Sequence, residues 1–264
     1  MRIARYSVDG TIRYGVVELE TDGTGNPDTV SDLTGDPLSG SVKLAGVRRE
    51  LADVRLLSPL LPRSKVIGVE PECTAVHPSS SGAGSKLALF LKPNTSVIGP
   101  GEAIQIPAIS TDTVVEGRLA IIIGRICRSV PPERVPEVVF GYTVSADVTA
   151  RDLTRPGLPW GLAKSWDTFT PLGPWIVTHL SLEEISAVKI VTMVDETGVT
   201  MSTKDLVADL QDVVSFVSSV MTLLPSDVIL VGAAAQPTIV RAGQSVSVEI
   251  EEIGALSNPV IGEV

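Results

Sequence analysis

The chain has 264 residues, 44% of them hydrophobic, and a formal net charge of -10 at pH 7. That length allows one large domain or a small domain joined to a larger one, and the apolar content is enough for a real core. The acidic balance argues against nucleic acid as a partner, because phosphate binding needs clustered Lys and Arg. No apolar run approaches membrane-spanning length, and the opening MRIARYSVDG has no signal-peptide core. A cytoplasmic protein with no membrane partner is the expectation. Cys73 and Cys127 are too few and too unpatterned for a disulfide framework or a structural zinc site. Cys127 follows an apolar strand and reads as a packed thiol; Cys73 sits in a loop with no base paired to it.

In chain order, residues 1–60 alternate short strand-like runs with turns. Residues 2–6 and 11–17 flank Asp9-Gly10, the signature of a hairpin. Residues 21–26 are rich in Gly, Asp and Thr and read as a loop. The linker-like run Ser58 to Pro62 leads into a strand at 65–69, and the domain boundary is placed there: a small N-terminal β domain over 1–62 and a larger domain over 63–264. Residues 70–86 break every periodicity and read as a flexible loop. Strands are expected at 87–91, 104–106, 118–123, 139–147, 174–177, 187–194, 228–231 and 245–251. Pro132 to Val138 reads as a short helix. One longer helix carries the apolar stripe Leu206, Leu210, Val213, Val214, Val217 and Met221, with Thr203 or Asp205 as its cap. The fold class is α+β, mostly β.

Three segments then carry a resemblance. They are Val114-Val115-Glu116-Gly117-Arg118, Ser145-Ala146-Asp147-Val148-Thr149-Ala150-Arg151-Asp152 and Lys164-Ser165-Trp166-Asp167. Phe90-Leu91-Lys92-Pro93, Leu223-Leu224-Pro225 and Asn258-Pro259-Val260 add further motifs in the same order. The chain resembles the fumarylacetoacetate hydrolase family from about residue 63 to residue 260. The resemblance implies the family's β-roll catalytic domain behind a small β domain, and a homodimer.

The family reads Glu-x-Glu at the first segment. There, both glutamates and the Asp of the second segment hold Mg²⁺ or Mn²⁺, a hard cation that takes oxygen ligands and stabilises an enolate. Glu116 and Asp147 match two of these ligands, and Arg118 stands at the third. On a strand, Glu116 and Arg118 point to the same side. A guanidinium about 4 Å from a divalent ion is repelled by about 8 kcal/mol at an effective dielectric of 20. Arg118 is therefore expected to enter the metal position and pair with Glu116 and Asp147, with no metal cofactor. If Mg²⁺ or Mn²⁺ is bound, Glu116 and Asp147 are its ligands.

Other positions depart from the family pattern. Its Gly-x-Asn-Tyr-x-x-His motif reads Glu70-Pro71-Glu72-Cys73-Thr74-Ala75-Val76 here, with His77 one position late. Its Gly-Thr-Pro reads Gly232-Ala233-Ala234, which loses a hydroxyl. Catalytic candidates are Arg118, Glu116, Asp147, Lys164 and His77. Substrate-binding candidates are Lys92, Val76, Trp166, Asp167 and Ala233, with Trp160 as a further aromatic. Arg151 and Asp152 read as a structural ion pair, and His179 as a surface residue.

The resemblance supports an enzyme acting without the usual metal on a small-molecule β-dicarbonyl or keto-acid-like substrate. Decarboxylation, dehydration, isomerisation or cyclisation would fit, as in secondary metabolism. Arg118 would stand in for the metal as electrophile, and Glu116 or Asp147 would shuttle protons. The alternatives are a Mg²⁺- or Mn²⁺-dependent C–C hydrolase or decarboxylase, and a non-catalytic relative that binds a small molecule.

Overall fold

Alternating apolar side chains build this molecule from strands. The structure, a computed structural model, describes residues 1–20, 25–71, 87–154, 159–206, 208–232 and 237–262. The strands of the first half are β1 (Arg2–Val8), β2 (Thr11–Glu18), β3 (Thr29–Leu33), β4 (Leu44–Glu50), β5 (Arg55–Leu57), β6 (Val66–Pro71), β7 (Leu87–Lys92), β8 (Val97–Ile98), β9 (Ile104–Ile106) and β10 (Thr113–Ile123). Then come β11 (Val139–Ala150), α1 (Gly161–Lys164), β12 (Thr170–Val177), α2 (Leu182–Ile185), β13 (Lys189–Val194), β14 (Thr197–Ser202) and α3 (Leu210–Val220). The chain ends with β15 (Val228–Val231), β16 (Thr238–Ile239), β17 (Ser245–Ile250) and β18 (Gly254–Gly262). The architecture is α+β and mostly β, as the sequence indicates. Among the described residues no helix is long and apolar enough to cross a membrane.

Asp9 and Gly10 both have positive φ, 48° and 72°, and close the β1–β2 hairpin. Two left-handed residues give the turn whose twist matches that of its strands. The large sheet runs β4-β3-β2-β1-β12-β11-β10-β15-β6-β7, so the N-terminal strands join it through β1 against β12. A second sheet, β14-β13-β17-β18-β9, packs on one face of the first. The two approach closely at Gly117, where a Cβ would collide with Thr192 and lie 2.9 Å from Val248.

Strand β10 divides its side chains between two environments. Val115, Leu119, Ile121 and Ile123 enter the main core against the second sheet. Ala120 and Ile122 enter a smaller cluster on the opposite face with Val66, Val228 and Leu230. Glu116 and Arg118 continue that second row by strand alternation. The register pairs Glu116 with Asp147 and Arg118 with Ser145 on β11. Ala120 pairs with Leu230, and Leu230 pairs in parallel with Gly68. Two residues further along, Gly232 and Glu70 fall level with Arg118.

Two local expectations change. The long helix starts at Leu210 rather than at a Thr203 or Asp205 cap. Thr203–Asp205 is a separate 3-10 turn under a Ser202 capping box, and Leu206 then turns extended at ψ 155°. The short helix expected after Pro131 is present at Pro132–Glu137, of 3-10 type, with Pro136 inside it removing a helical donor. Finally, Glu70 and Pro71 are not loop residues: they are the last two residues of β6.

Candidate active site

The register gathers six charged side chains at one end of the even face of β10. Lys92 lies on β7, four steps from β11 in the hydrogen-bonded order. Its Nζ is nevertheless 2.6 Å from Asp147 Oδ1. The sheet therefore curls back on itself and encloses the cluster.

Arg118 is the centre of it. Its Nη2 donates to Glu70 Oε1 and to Glu116 Oε2 at 3.1 Å, and lies 3.3 Å from Asp147 Oδ2. Its Nη1 donates to Val69 O at 3.1 Å. Its Nε has no partner among the described residues and is buried. Lys164 reaches in from α1, with Nζ 2.6 Å from Asp147 Oδ2, 2.8 Å from Thr149 Oγ1 and 3.6 Å from Glu70 Oε1. Lys92 spends its remaining donors on Val148 O and Phe169 O, at 3.2 and 2.8 Å. Three cations thus face three carboxylates.

Burial sets how these groups hold protons. For Asp147 burial alone would favour the neutral acid, but Lys164, Lys92 and Arg118 outweigh it and hold the carboxyl well below the usual range. For Arg118 burial works against the charge, and Glu116, Asp147 and Glu70 overcome it, so the guanidinium stays charged. Burial pushes the Lys92 ammonium down to about 8, with Asp147 opposing. Glu116 is the exception among the acids: burial raises it, Arg118 opposes, and Glu70 adds to the rise. Asp147 is thus held as an anion, which speaks against the proton-shuttle role drawn for it from the sequence. The Glu116 carboxyl is shifted the other way, towards holding a proton.

The carboxylate oxygens of Glu70, Glu116 and Asp147 all lie within 4.8 Å of one another. Such a group of hard oxygens could hold a divalent cation. The place where they converge is filled by Arg118 Nη2, so the residues as arranged do not fit the ion. The guanidinium supplies the counter-charge that a metal would bring.

This geometry bears on the role expected for Arg118. It is 1% exposed and lies behind Glu70 and Glu116. Its Nη1 and Nη2 are taken up by Val69, Glu70, Glu116 and Asp147. Lys92, expected at the substrate, is fully enclosed with its ammonium donating to three protein acceptors. Trp166 and Asp167 are not brought to the cluster. They line a separate cavity of about 460 Å³ with Gln105 and Leu162, and Trp166 Nε1 donates to Leu162 O. His77, Val76 and Ala233 lie outside the described residues, as does Cys73.

Trp160 is beside the site. The Lys164 Nζ sits 4.3 Å from the Phe90 ring centroid and 5.5 Å from that of Trp160. Arg151 pairs with Asp112 at 2.8 Å, and Asp152 instead accepts from Ser110 and Thr111, so these two are not an ion pair with each other. His179 lies at the surface with its Nδ1 2.9 Å from the Met1 amine. Cys127 is half-buried and packs against the core. The residue that sequence reasoning missed is Glu70. Its signal is an acid standing where the resembled motif has Gly, in a segment whose composition reads as loop.

Residues 70–261 match the family described as Fumarylacetoacetate (FAA) hydrolase C-terminal. Residues 1–59 match a second family, Rv2993c-like, N-terminal. The crystal structure of 5-carboxymethyl-2-hydroxymuconate delta-isomerase from Mycobacterium smegmatis is 39% identical, with 100% of each chain covered and a TM-score of 0.87. Mitochondrial oxaloacetate tautomerase Fahd2a of Rattus norvegicus is 30% identical over 276 residues, covering 96% of this chain and 86% of its own length. Maleylpyruvate hydrolase from Sphingobium sp. SYK-6, solved in complex with manganese(II) ion and pyruvate, is 28% identical, with 100% of each chain covered and a TM-score of 0.78.

Proposed function

The chain belongs to the fumarylacetoacetate hydrolase family, and from that premise we propose that it is an isomerase-type enzyme working without a divalent ion. It moves a proton between carbon and oxygen on a β-dicarbonyl or related carbonyl substrate. The observation that carries this reading is Arg118 Nη2 at the convergence of Glu70, Glu116 and Asp147.

In this reading Arg118 keeps the three carboxylates together and their charge balanced. Lys92 and Lys164 fix Asp147 as an anion. Glu116 takes the proton from the acidic C–H of the substrate as its electron pair moves towards the carbonyl. It then returns a proton to the enolate oxygen. The net change is an isomerisation, and no other reactant is consumed. The isomerase and tautomerase relatives support this class. The manganese complex of the hydrolase relative keeps a metal-dependent C–C hydrolase as the second reading. That reading needs Arg118 to leave its three partners.

The test is hydrogen–deuterium exchange at the central carbon of a 1,3-diketone, followed by NMR in the presence of EDTA. Exchange should persist with the chelator. It should fall by roughly 100-fold or more in Glu116→Gln, the scale of a lost general base. Exchange abolished by EDTA and restored by Mn²⁺ would contradict the proposal.

A further inference from the structure

The open side of the cluster is anionic, although the cluster as a whole is balanced. The Glu70 and Glu116 side chains are 17% and 16% exposed. Asp147 and Lys92 are at 0%, and Arg118 and Lys164 at 1%. A molecule reaching this site therefore meets the two glutamates before the buried cations.

Each cation is also already matched. Lys92 is committed to Asp147 and two backbone carbonyls, and Lys164 to Asp147 and Thr149. An incoming carboxylate would lie against two others with no free positive charge among the described residues to offset them. A hydroxyl group suits those oxygens, because ionised carboxylates only accept hydrogen bonds.

The neighbouring wall is aromatic. Phe90 stands over Gly68, where a Cβ would collide with its ring. Trp160 lies 6.1 Å from Phe90 between ring centroids, and is 39% exposed. Its open surface offers a flat apolar contact 5.5 Å from Lys164 Nζ, which lies 3.6 Å from Glu70 Oε1.

We propose that the substrate is a neutral enol or hydroxyl-bearing carbonyl compound with a flat apolar flank, its O–H donating to Glu70 or Glu116 and its flank against Trp160. No free carboxylate is required. This substrate class rests on the proton-transfer reading above.

Three probes of similar use separate the possibilities: benzoylacetone as neutral enol, oxalate as dianion and phenethylamine as cation. Calorimetric titration of the intact protein should give benzoylacetone the tightest binding by about tenfold or more. Trp160→Ala should weaken benzoylacetone by up to about tenfold, the scale of one aromatic contact. Tighter binding of oxalate or phenethylamine overturns the proposal, and so does benzoylacetone that fails to bind at millimolar concentration. Benzoylacetone bound tightest but without deuterium exchange supports the ligand class and contradicts the catalytic reading instead.

Discussion

Glu70 on β6 and Arg118 on β10 meet over Gly232, the residue that follows the strand between them. A Cβ at position 232 would sit 2.5 Å from Arg118 Nη1 and 2.6 Å from its Cδ. Arg118 takes up the space that a side chain at 232 would need. The guanidinium, its acidic partner Glu70 and the glycine beneath it form one arrangement.

Gly232→Ala should therefore destabilise the protein by about 1–3 kcal/mol, the usual range for overpacking. The cost should shrink when Arg118 is already Ala, because the clash is with that side chain. Urea unfolding of both single variants and the double variant measures the coupling. Fully additive effects would mean that Arg118 does not lie over Gly232.

Arg118→Met should cost about 3–5 kcal/mol, the scale of breaking a buried charge network by removing one partner. Glu70, Glu116 and Asp147 would then face one another with only the two lysines. Adding Glu70→Gln to that variant should recover part of the loss, as read by the same unfolding curves.

Much of this was legible in the sequence, and the reasons are local. The β1–β2 hairpin was visible because Asp9-Gly10 separates two apolar runs. Arg118 was placed beside Glu116 and Asp147 by strand alternation and the resemblance alone. Glu70 escaped because Pro71 and the Gly- and Ser-rich run behind it looked like loop, while pairing with Leu87–Lys92 holds it in a strand. The three-cation balance escaped for another reason. Lys92 and Asp147 are distant in both sequence and strand order, and only the curl of the sheet brings them together. The α3 start was misplaced because the 3-10 turn at Thr203–Asp205 also shows capping chemistry.

The pH dependence follows from the sign of each shift. The Asp147 carboxyl lies below its ordinary value of 3.8, so the unfolded chain binds that proton more readily. Its contribution is present in full above that ordinary value and is lost as pH falls from there towards the folded pKa. Glu116 has the opposite sign: it lies above its ordinary 4.5, so its contribution is present below 4.5 and lost as pH rises through the folded pKa. Asp147→Asn should be less stable at pH 7 and show a flatter decline below about pH 4. Denaturant unfolding between pH 7 and pH 3 checks both slopes.

The central claim is that a guanidinium fills the place of a divalent ion, and Mn²⁺ titration tests it most directly. The protein, dialysed and checked by elemental analysis, should carry no stoichiometric Mg²⁺ or Mn²⁺, and calorimetric titration should show no binding. The double variant Glu70→Gly with Arg118→Glu, which removes the guanidinium and leaves Glu116, Asp147 and a new glutamate at 118, should bind one Mn²⁺ per chain. About one ion per chain in the unmodified protein, removed by a chelator, would contradict the account.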